Sequence, residues 1–452
     1  MAGTTVHGFP GYAPWEDVPT VPQVLDGAPP ANTEPVRVDL LPGSRVRYSG
    51  GGTTILQLAM TDATGESFPA LLDRLVLEPA GMTRSTYENP LPDSRLQEAA
   101  AGYRRSGTAV PGKRHTYPEM AAAGLWTTAS DLARFALAVQ ASLRGAPGTL
   151  LDSTTARAMV TPVTEPAGLG FFVEEKDGGH VYFGYNGADE GFQAMLVANH
   201  DGGYGAAVMV NSDNGIALAE EILRAVATEY GWAGYLPPPV TAVEMTVEEL
   251  APYEGRFQIG PEQVATLFLE DGGLWIHPSL AETSRMIPLG DGVFLYESRG
   301  WTLRVVPDED GRATAIETVE APFSGSFPRI RNEALTSIEL LDAERTEEAI
   351  AALEAANALE GLVNSLGYTL LESGRIDQAV ALFEWNAERN PSHANPWDSL
   401  ADGYVATGDT AGAVGAYRKV LETIPLDEAA DPDALAALER RARSRLTAFG
   451  GE

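Results

Sequence analysis

Three pairs of residues near the C-terminus share one spacing: Gly374 and Gly408, Ala379 and Ala413, and Pro391 and Pro425 are each 34 positions apart. A chain that repeats at this period builds one helix pair per repeat and must stack the pairs, because a single pair cannot bury its own apolar face. Trp397, Leu400 and Tyr404 fall on the first helix of the second repeat, and Phe383 and Tyr417 match on the second helices. Two repeats are clear, so further helices predicted over 347–359 and 432–446 cap the stack. The period predicts an all-α region over 334–452.

Upstream, Leu236-Pro237-Pro238-Pro239 is a stiff spacer and marks a boundary. Between 236 and 333 the apolar runs are short (253–257, 265–269, 274–277, 285–288, 293–296, 302–306 and 313–318). They are divided by turns such as Glu270-Asp271-Gly272-Gly273, the spacing of a small β-barrel or sandwich. Residues 1–235 mix both periods. Helices are predicted over 53–64 and 68–77, another opens where Thr128 and Asp131 have capping-box spacing, and a fourth starts near Asp152. From Gly168 the period becomes strand-like (169–175, 180–185, 191–199, 204–211), and an amphipathic helix over 216–230 follows to cover one face. This predicts an α+β domain with an antiparallel sheet. The proline-rich residues 1–37 are predicted to be loop bordering a cleft.

Charge narrows the partners. With 63 acidic against 31 basic residues, the net charge of -32 argues against nucleic acid and anionic membrane surfaces, both of which reward basic patches. No apolar run approaches the roughly 20 residues of a membrane-spanning helix. The absence of cysteine excludes disulfides, thiolate metal sites and a cysteine nucleophile. No H-E-x-x-H or comparable spacing supports a metal, so no cofactor is expected. The first residues form neither a basic nor an apolar leader segment, and nothing fixes the compartment.

The stretch Pro42-Gly43-Ser44-Arg45-Val46-Arg47-Tyr48-Ser49-Gly50-Gly51-Gly52 sets a lone phenol between a tight turn and a glycine run. The glycines let backbone or substrate come very close. On this segment alone a hairpin corner with a buried tyrosine is the favoured reading, because short motifs match by chance. The histidines His7, His115, His180 and His200 have no motif around them and suit solvated loops or strand ends.

Taken with its neighbours, the stretch resembles the second motif, Y-x-N or Y-S-x, of the serine β-lactamase, penicillin-binding protein and esterase family, above all its class C-like group. Glu78-Pro79-Ala80-Gly81-Met82-Thr83-Arg84-Ser85 resembles that group's PLGM segment, and Gly124 to Phe135 its GGL-STA-DLARF helix start. The resemblance spans about residues 2–232. It implies that Tyr48 shuttles protons and that Ser49, Gly50, Tyr185, Asn186, Gly187 and Ala188 bind substrate or oxyanion. Tyr185-Asn186-Gly187 stands where the family has K-T-G or H-x-G, and the Ala188 N–H would donate to the oxyanion. A tyrosine in the first position carries no positive charge at neutral pH, its ordinary pKa being about 10. That favours neutral esters or amides over penicillin-like acids. The 34-residue period is likewise the tetratricopeptide pattern, whose concave surfaces hold peptides, and the central region is expected to be lipocalin-like.

The family's first motif is S-x-x-K, nucleophile and base together. Lys occurs only at Lys113, Lys176 and Lys419, and three positions before them stand Val110, Val173 and Ala416. Ala2-Gly3-Thr4 resembles the residues just after the family's H-T-x-G loop. The sequence therefore reads as an N-terminally shortened serine hydrolase acting on an ester, amide or peptide. Its turnover should be negligible, its sheet edge and an apolar groove should be exposed, and its longer parent would be exported as related enzymes often are. The alternative is a non-catalytic peptide- or protein-binding protein that uses a pseudo-active cleft and its repeats.

Overall fold

The computed structural model describes residues 3–450 apart from 42, 106, 165, 237, 238, 261, 322 and 331–333, and all of 433 but its side chain. Ala2, Pro42 of the tyrosine motif, and Pro237 and Pro238 of the spacer thus lie outside the described residues. The chain divides into two units, 1–237 and 238–452.

In the first unit, glycine turns cut the strand-period region into β1 (Phe172–Lys176), β2 (His180–Asp189), β3 (Phe192–Asn199) and β4 (Gly205–Val210), an antiparallel sheet in sequence order. Gly191 at φ +77° and Gly178 at φ +76° supply left-handed turns that a side chain would strain. β2 is longer than its sequence suggests. It continues through Tyr185-Asn186-Gly187-Ala188 to Asp189, paired with β3 from Tyr182 onward.

Alternation then assigns the two faces. Val181 and Phe183 point toward α5 (Ala129–Leu143), where Phe183 packs with Phe171, Val173 and Leu196. Tyr182 points the other way, toward Leu223 and Trp232 beside α7 (Gly215–Glu229). Burying a side chain such as Phe183, 1% exposed, stabilises by about 1.5–3 kcal/mol. The remaining helices are α1 (Val21–Asp26), α2 (Gly50–Thr64), α3 (Phe68–Leu72), α4 (Met120–Ala123) and α6 (Ser153–Met159). The described residues of 3–49 are otherwise irregular apart from isolated bridges such as those at Thr4 and Tyr12.

Two local expectations are revised. The helix predicted over 68–77 changes to a π turn at Asp73–Leu77. The capping box at α5 is half made: Thr128 accepts from the Asp131 N–H, but the Asp131 carboxylate reaches away to Arg84 N and Ser85 Oγ, both at 2.8 Å. The buried aspartate ties α5 to the 82–85 turn.

The second unit opens with α8 (Val247–Leu250). Eight strands follow: β5 (Gly255–Gln258), β6 (Val264–Glu270), β7 (Gly273–Pro278), β8 (Ser284–Gly290), β9 (Val293–Tyr296), β10 (Trp301–Pro307), β11 (Ala313–Glu320) and β12 (Ser326–Pro328). Each pairs antiparallel with the next, and a bridge from Phe257 to Arg329 brings the end beyond β12 back to β5, so the sheet is a nearly closed barrel. Phe257, Leu267, Leu274, Met286, Phe294 and Val305 fill it. β12 escaped the sequence reading because it is three residues long and ends in proline.

The helical region comprises α9 (Ser337–Asp342), α10 (Thr346–Ala355), α11 (Glu360–Glu372), α12 (Ile376–Arg389), α13 (Ala394–Thr407), α14 (Thr410–Thr423) and α15 (Pro432–Ala448). The starts of α11 and α13, and of α12 and α14, are 34 residues apart. The small residues have a packing role: a Cβ on Gly367 would stand 2.3 Å from Phe383.

α9 was not foreseen, although Thr336-Ser337-Ile338-Glu339 is a legible capping box and both of its hydrogen bonds form. Glu339 also pairs with Arg256 of β5, and Asp342 receives His277 Nε2 of β7 at 2.5 Å and Arg375 at 2.9 Å. Thr336→Ala is therefore expected to cost about 1 kcal/mol of second-unit stability, read as a shift in urea midpoint at unchanged m-value.

Candidate active site

Tyr48 leaves an extended segment immediately before α2, and the contacts of the next four residues fix its position. Ser49 is the N-cap, with extended φ -150°, and its Oγ accepts from Gly52 N at 2.9 Å and lies 2.6 Å from Thr4 Oγ1. Gly50 N donates to His7 O at 2.8 Å and Gly51 N to Val6 O at 3.1 Å, so residues 4–8 satisfy amides that open the helix. No side chain fits between these segments. A Cβ on Gly50 would stand 2.8 Å from His7 O, and one on Gly51 2.6 Å from Thr4 Oγ1. The glycine run thus serves approach of the chain's own backbone. Ser49 and Gly50, expected at the substrate surface, are buried in this junction.

Tyr48 itself is half exposed and meets the sheet. The Tyr185 hydroxyl donates to the Tyr48 hydroxyl at 3.2 Å, with ring centroids 6.4 Å apart, and Tyr185 stacks on Phe172 at 5.6 Å. Burial, and then the hydrogen bond to Tyr48, raise the Tyr185 pKa, keeping it a neutral donor. β1 pairs with β2 only as far as Gly184, so Tyr185 to Asp189 lie beyond it on that edge. Asn186, Gly187 and Ala188 are exposed there, and nothing lies within 4 Å of where a Gly187 Cβ would stand. The structure therefore brings Tyr48, Tyr185 and the Gly187 gap together, with Asn186 and Ala188 on the same free edge, and turns Ser49 and Gly50 inward.

One cluster was missed. Glu119, just ahead of α4, is 0% exposed, and neither of its carboxyl oxygens has a hydrogen-bond partner. Its pKa is pushed up to about 7, first by burial and then by the charge of Asp189. Burial likewise pushes Asp189, at the end of β2, up to about 7. The Tyr117 hydroxyl accepts from Glu190 N at 2.9 Å, and its pKa is raised by burial and then by Asp189, Glu119 and Asp213. Asp213 accepts from Gly191 N at 2.7 Å and pins the following turn. No local pattern in the sequence separates Glu119 from a solvated glutamate. Among the described residues no group of three or more His, Cys, Asp or Glu could hold a metal ion.

The first unit has a β-lactamase-like α+β fold: the family model described as Beta-lactamase matches residues 5–229. Among curated proteins, the D-aminopeptidase of Brucella anthropi is 25% identical over 242 residues, covering 49% of this chain. The match takes in 45% of that relative, about half its length. Similar solved structures include the octameric penicillin-binding protein homologue from Pyrococcus abyssi (17% identity, 71% of each chain, TM-score 0.42). Another is the D-amino acid amidase from Ochrobactrum anthropi SV3 complexed with D-phenylalanine (17% identity, 50% of this chain and 70% of that one, TM-score 0.37).

Proposed function

We propose that the first unit carries the tyrosine and strand-edge half of a serine-hydrolase site that cleaves an ester or amide through an acyl-enzyme. The nucleophilic serine and its lysine then lie outside these residues, and the chain as given does not turn over. In this reading Tyr48 passes the proton between nucleophile and leaving group, the Ala188 N–H stabilises the tetrahedral oxyanion, and the Gly187 gap lets substrate lie along β2. The observation that carries it is the 3.2 Å contact joining the motif tyrosine to the strand-edge motif, 137 residues apart. The D-aminopeptidase relative favours an amide as substrate.

Incubation with a fluorophosphonate or a chromogenic cephalosporin, followed by intact mass, should leave the chain unlabelled. A longer form carrying a Ser-x-x-Lys helix ahead of residue 1 should be labelled, and Tyr48→Phe in that form should slow labelling by about 10²–10⁴-fold. Stoichiometric labelling of the 452-residue chain, or Tyr48→Phe without effect in the longer form, would overturn the proposal.

A second reading is a non-catalytic binder, favoured by the 34-residue offset between successive helix pairs. In it, three domains at 1–235, 236–333 and 334–452 end in tetratricopeptide repeats that hold a peptide or protein partner. Absence of labelling in both forms would favour it.

A further inference from the structure

β2 presents one face along its free edge: Tyr185, Gly187 and Asp189 alternate onto the side that Val181 and Phe183 share with α5, and α4 lies close to β2. At 3.3–3.4 Å per residue, Tyr185 and Asp189 are roughly 13 Å apart with the Gly187 gap midway. The near end holds two phenols. The far end holds Asp189, partly buried, whose charge is felt by the fully buried Glu119.

Among the described residues these two carboxyls form no ion pair, in contrast to Asp131 and Glu190. Asp131 has the Arg84 amide, Ser85 and Arg134, and Glu190 pairs with Arg104. The surroundings of the Glu119–Asp189 pair are acidic or neutral: Tyr12 and Glu16 on the N-terminal segment, Tyr117 ahead of α4, and Asp213 after β4. Arg104 is felt at Tyr117, but its charge is spent on Glu190. A wholly buried carboxyl beside a second, partly buried one, with no counter-ion, is destabilising, and either a proton or a bound cation relieves the cost.

We propose that Asp189, backed by Glu119, is a binding site for a substrate's ammonium group, so that the cleft takes amine-bearing esters or amides lying along β2 with the cationic end away from Tyr48. The proposal rests on the hydrolase reading only for which bond is cut; the ammonium site itself needs no nucleophile. An organic ammonium is the fitting occupant because two carboxyls offer too few ligands for a divalent ion, and none of the described residues completes such a set. Since burial raises both pKa values, binding the cation expels protons near neutrality and strengthens as pH rises.

The test is calorimetric and uses the whole chain. At pH 7, where each carboxyl is about half protonated, benzylamine, a cation, should bind with release of protons to buffer, and benzyl alcohol, its neutral analogue, should not bind. Binding should weaken about tenfold at pH 5.5, where both carboxyls hold protons. Asp189→Asn should abolish it and Glu119→Gln weaken it about tenfold, while Glu229→Gln, at an exposed acid on α7, should leave it unchanged and so control for net charge. Equal binding of benzyl alcohol, or loss of affinity in Glu229→Gln matching that in Asp189→Asn, would overturn the proposal. Failure here would leave the labelling experiment untouched, and failure of labelling would leave this one untouched.

Discussion

Replacing Arg441 with alanine is expected to lower the stability of the second unit by about 3–5 kcal/mol, the usual consequence of stripping the partner from buried charges. The guanidinium of α15 spans two carboxylates one helical turn apart on α13: Nη1 reaches Asp398 at 2.7 Å, and Nη2 reaches both oxygens of Asp402 at 2.6 Å. Asp398 is almost wholly buried, and burial pushes its pKa up to about 7 even beside the arginine. Asp402 also accepts from the hydroxyls of Tyr368 on α11 at 2.9 Å and Tyr417 on α14 at 3.3 Å, so one side chain joins four helices.

Without Arg441 the buried Asp398 carboxyl must bind a proton to stay buried. Its folded pKa then stands further above the unfolded one, and the folded form gains on acidification and loses as pH rises through it. The deficit in Arg441→Ala should therefore be larger at pH 8 than at pH 5, and adding Asp398→Asn should recover part of it at pH 8. Urea unfolding at both pH values checks this; a deficit under about 1 kcal/mol with no pH dependence would sink the account.

In the first unit, stability is expected to fall by about 2–4 kcal/mol between pH 5 and pH 8 through Glu119 and Asp189. Both folded pKa values are raised, from 4.5 and 3.8 respectively to about 7. The folded state therefore holds protons the unfolded chain releases. The associated stability is full below about pH 4 and is lost as pH climbs through 7. Glu119→Gln keeps the shape and removes the charge, so at pH 8 it should raise stability by roughly 2 kcal/mol and flatten the pH profile. Hydrogen exchange of β3 amides, read by mass spectrometry, localises the effect to this unit. A variant that is destabilised at pH 8, or a profile that rises with pH, contradicts the assignment.

Much of this architecture was legible because it is written locally. Glycine turns and period-two runs mark β1 to β4 within a few residues of their observed ends, and seven of the eight barrel strands follow the same signal. The Tyr48 and Gly187 segments could be linked only through resemblance to a family, since nothing local connects residues 137 apart; the phenol contact is tertiary. The glycine run after Tyr48 shows the limit most clearly. Sequence could say that something approaches closely there, and only the fold shows that it is the backbone of residues 4–8. The arginine bridge on α13 and the carboxyl pair at Glu119 were invisible for the same reason. Charges spaced along a helix look alike whether they face water or a neighbouring helix.

The near-closure of the eight-stranded sheet has a practical meaning for the gene. Because the bridge from Phe257 to Arg329 sets the first strand beside the end of the last, the polypeptide enters and leaves this module at neighbouring points. Domain shuffling favours that geometry: a unit whose two ends adjoin can be spliced into a surface loop of another host without prising the host apart.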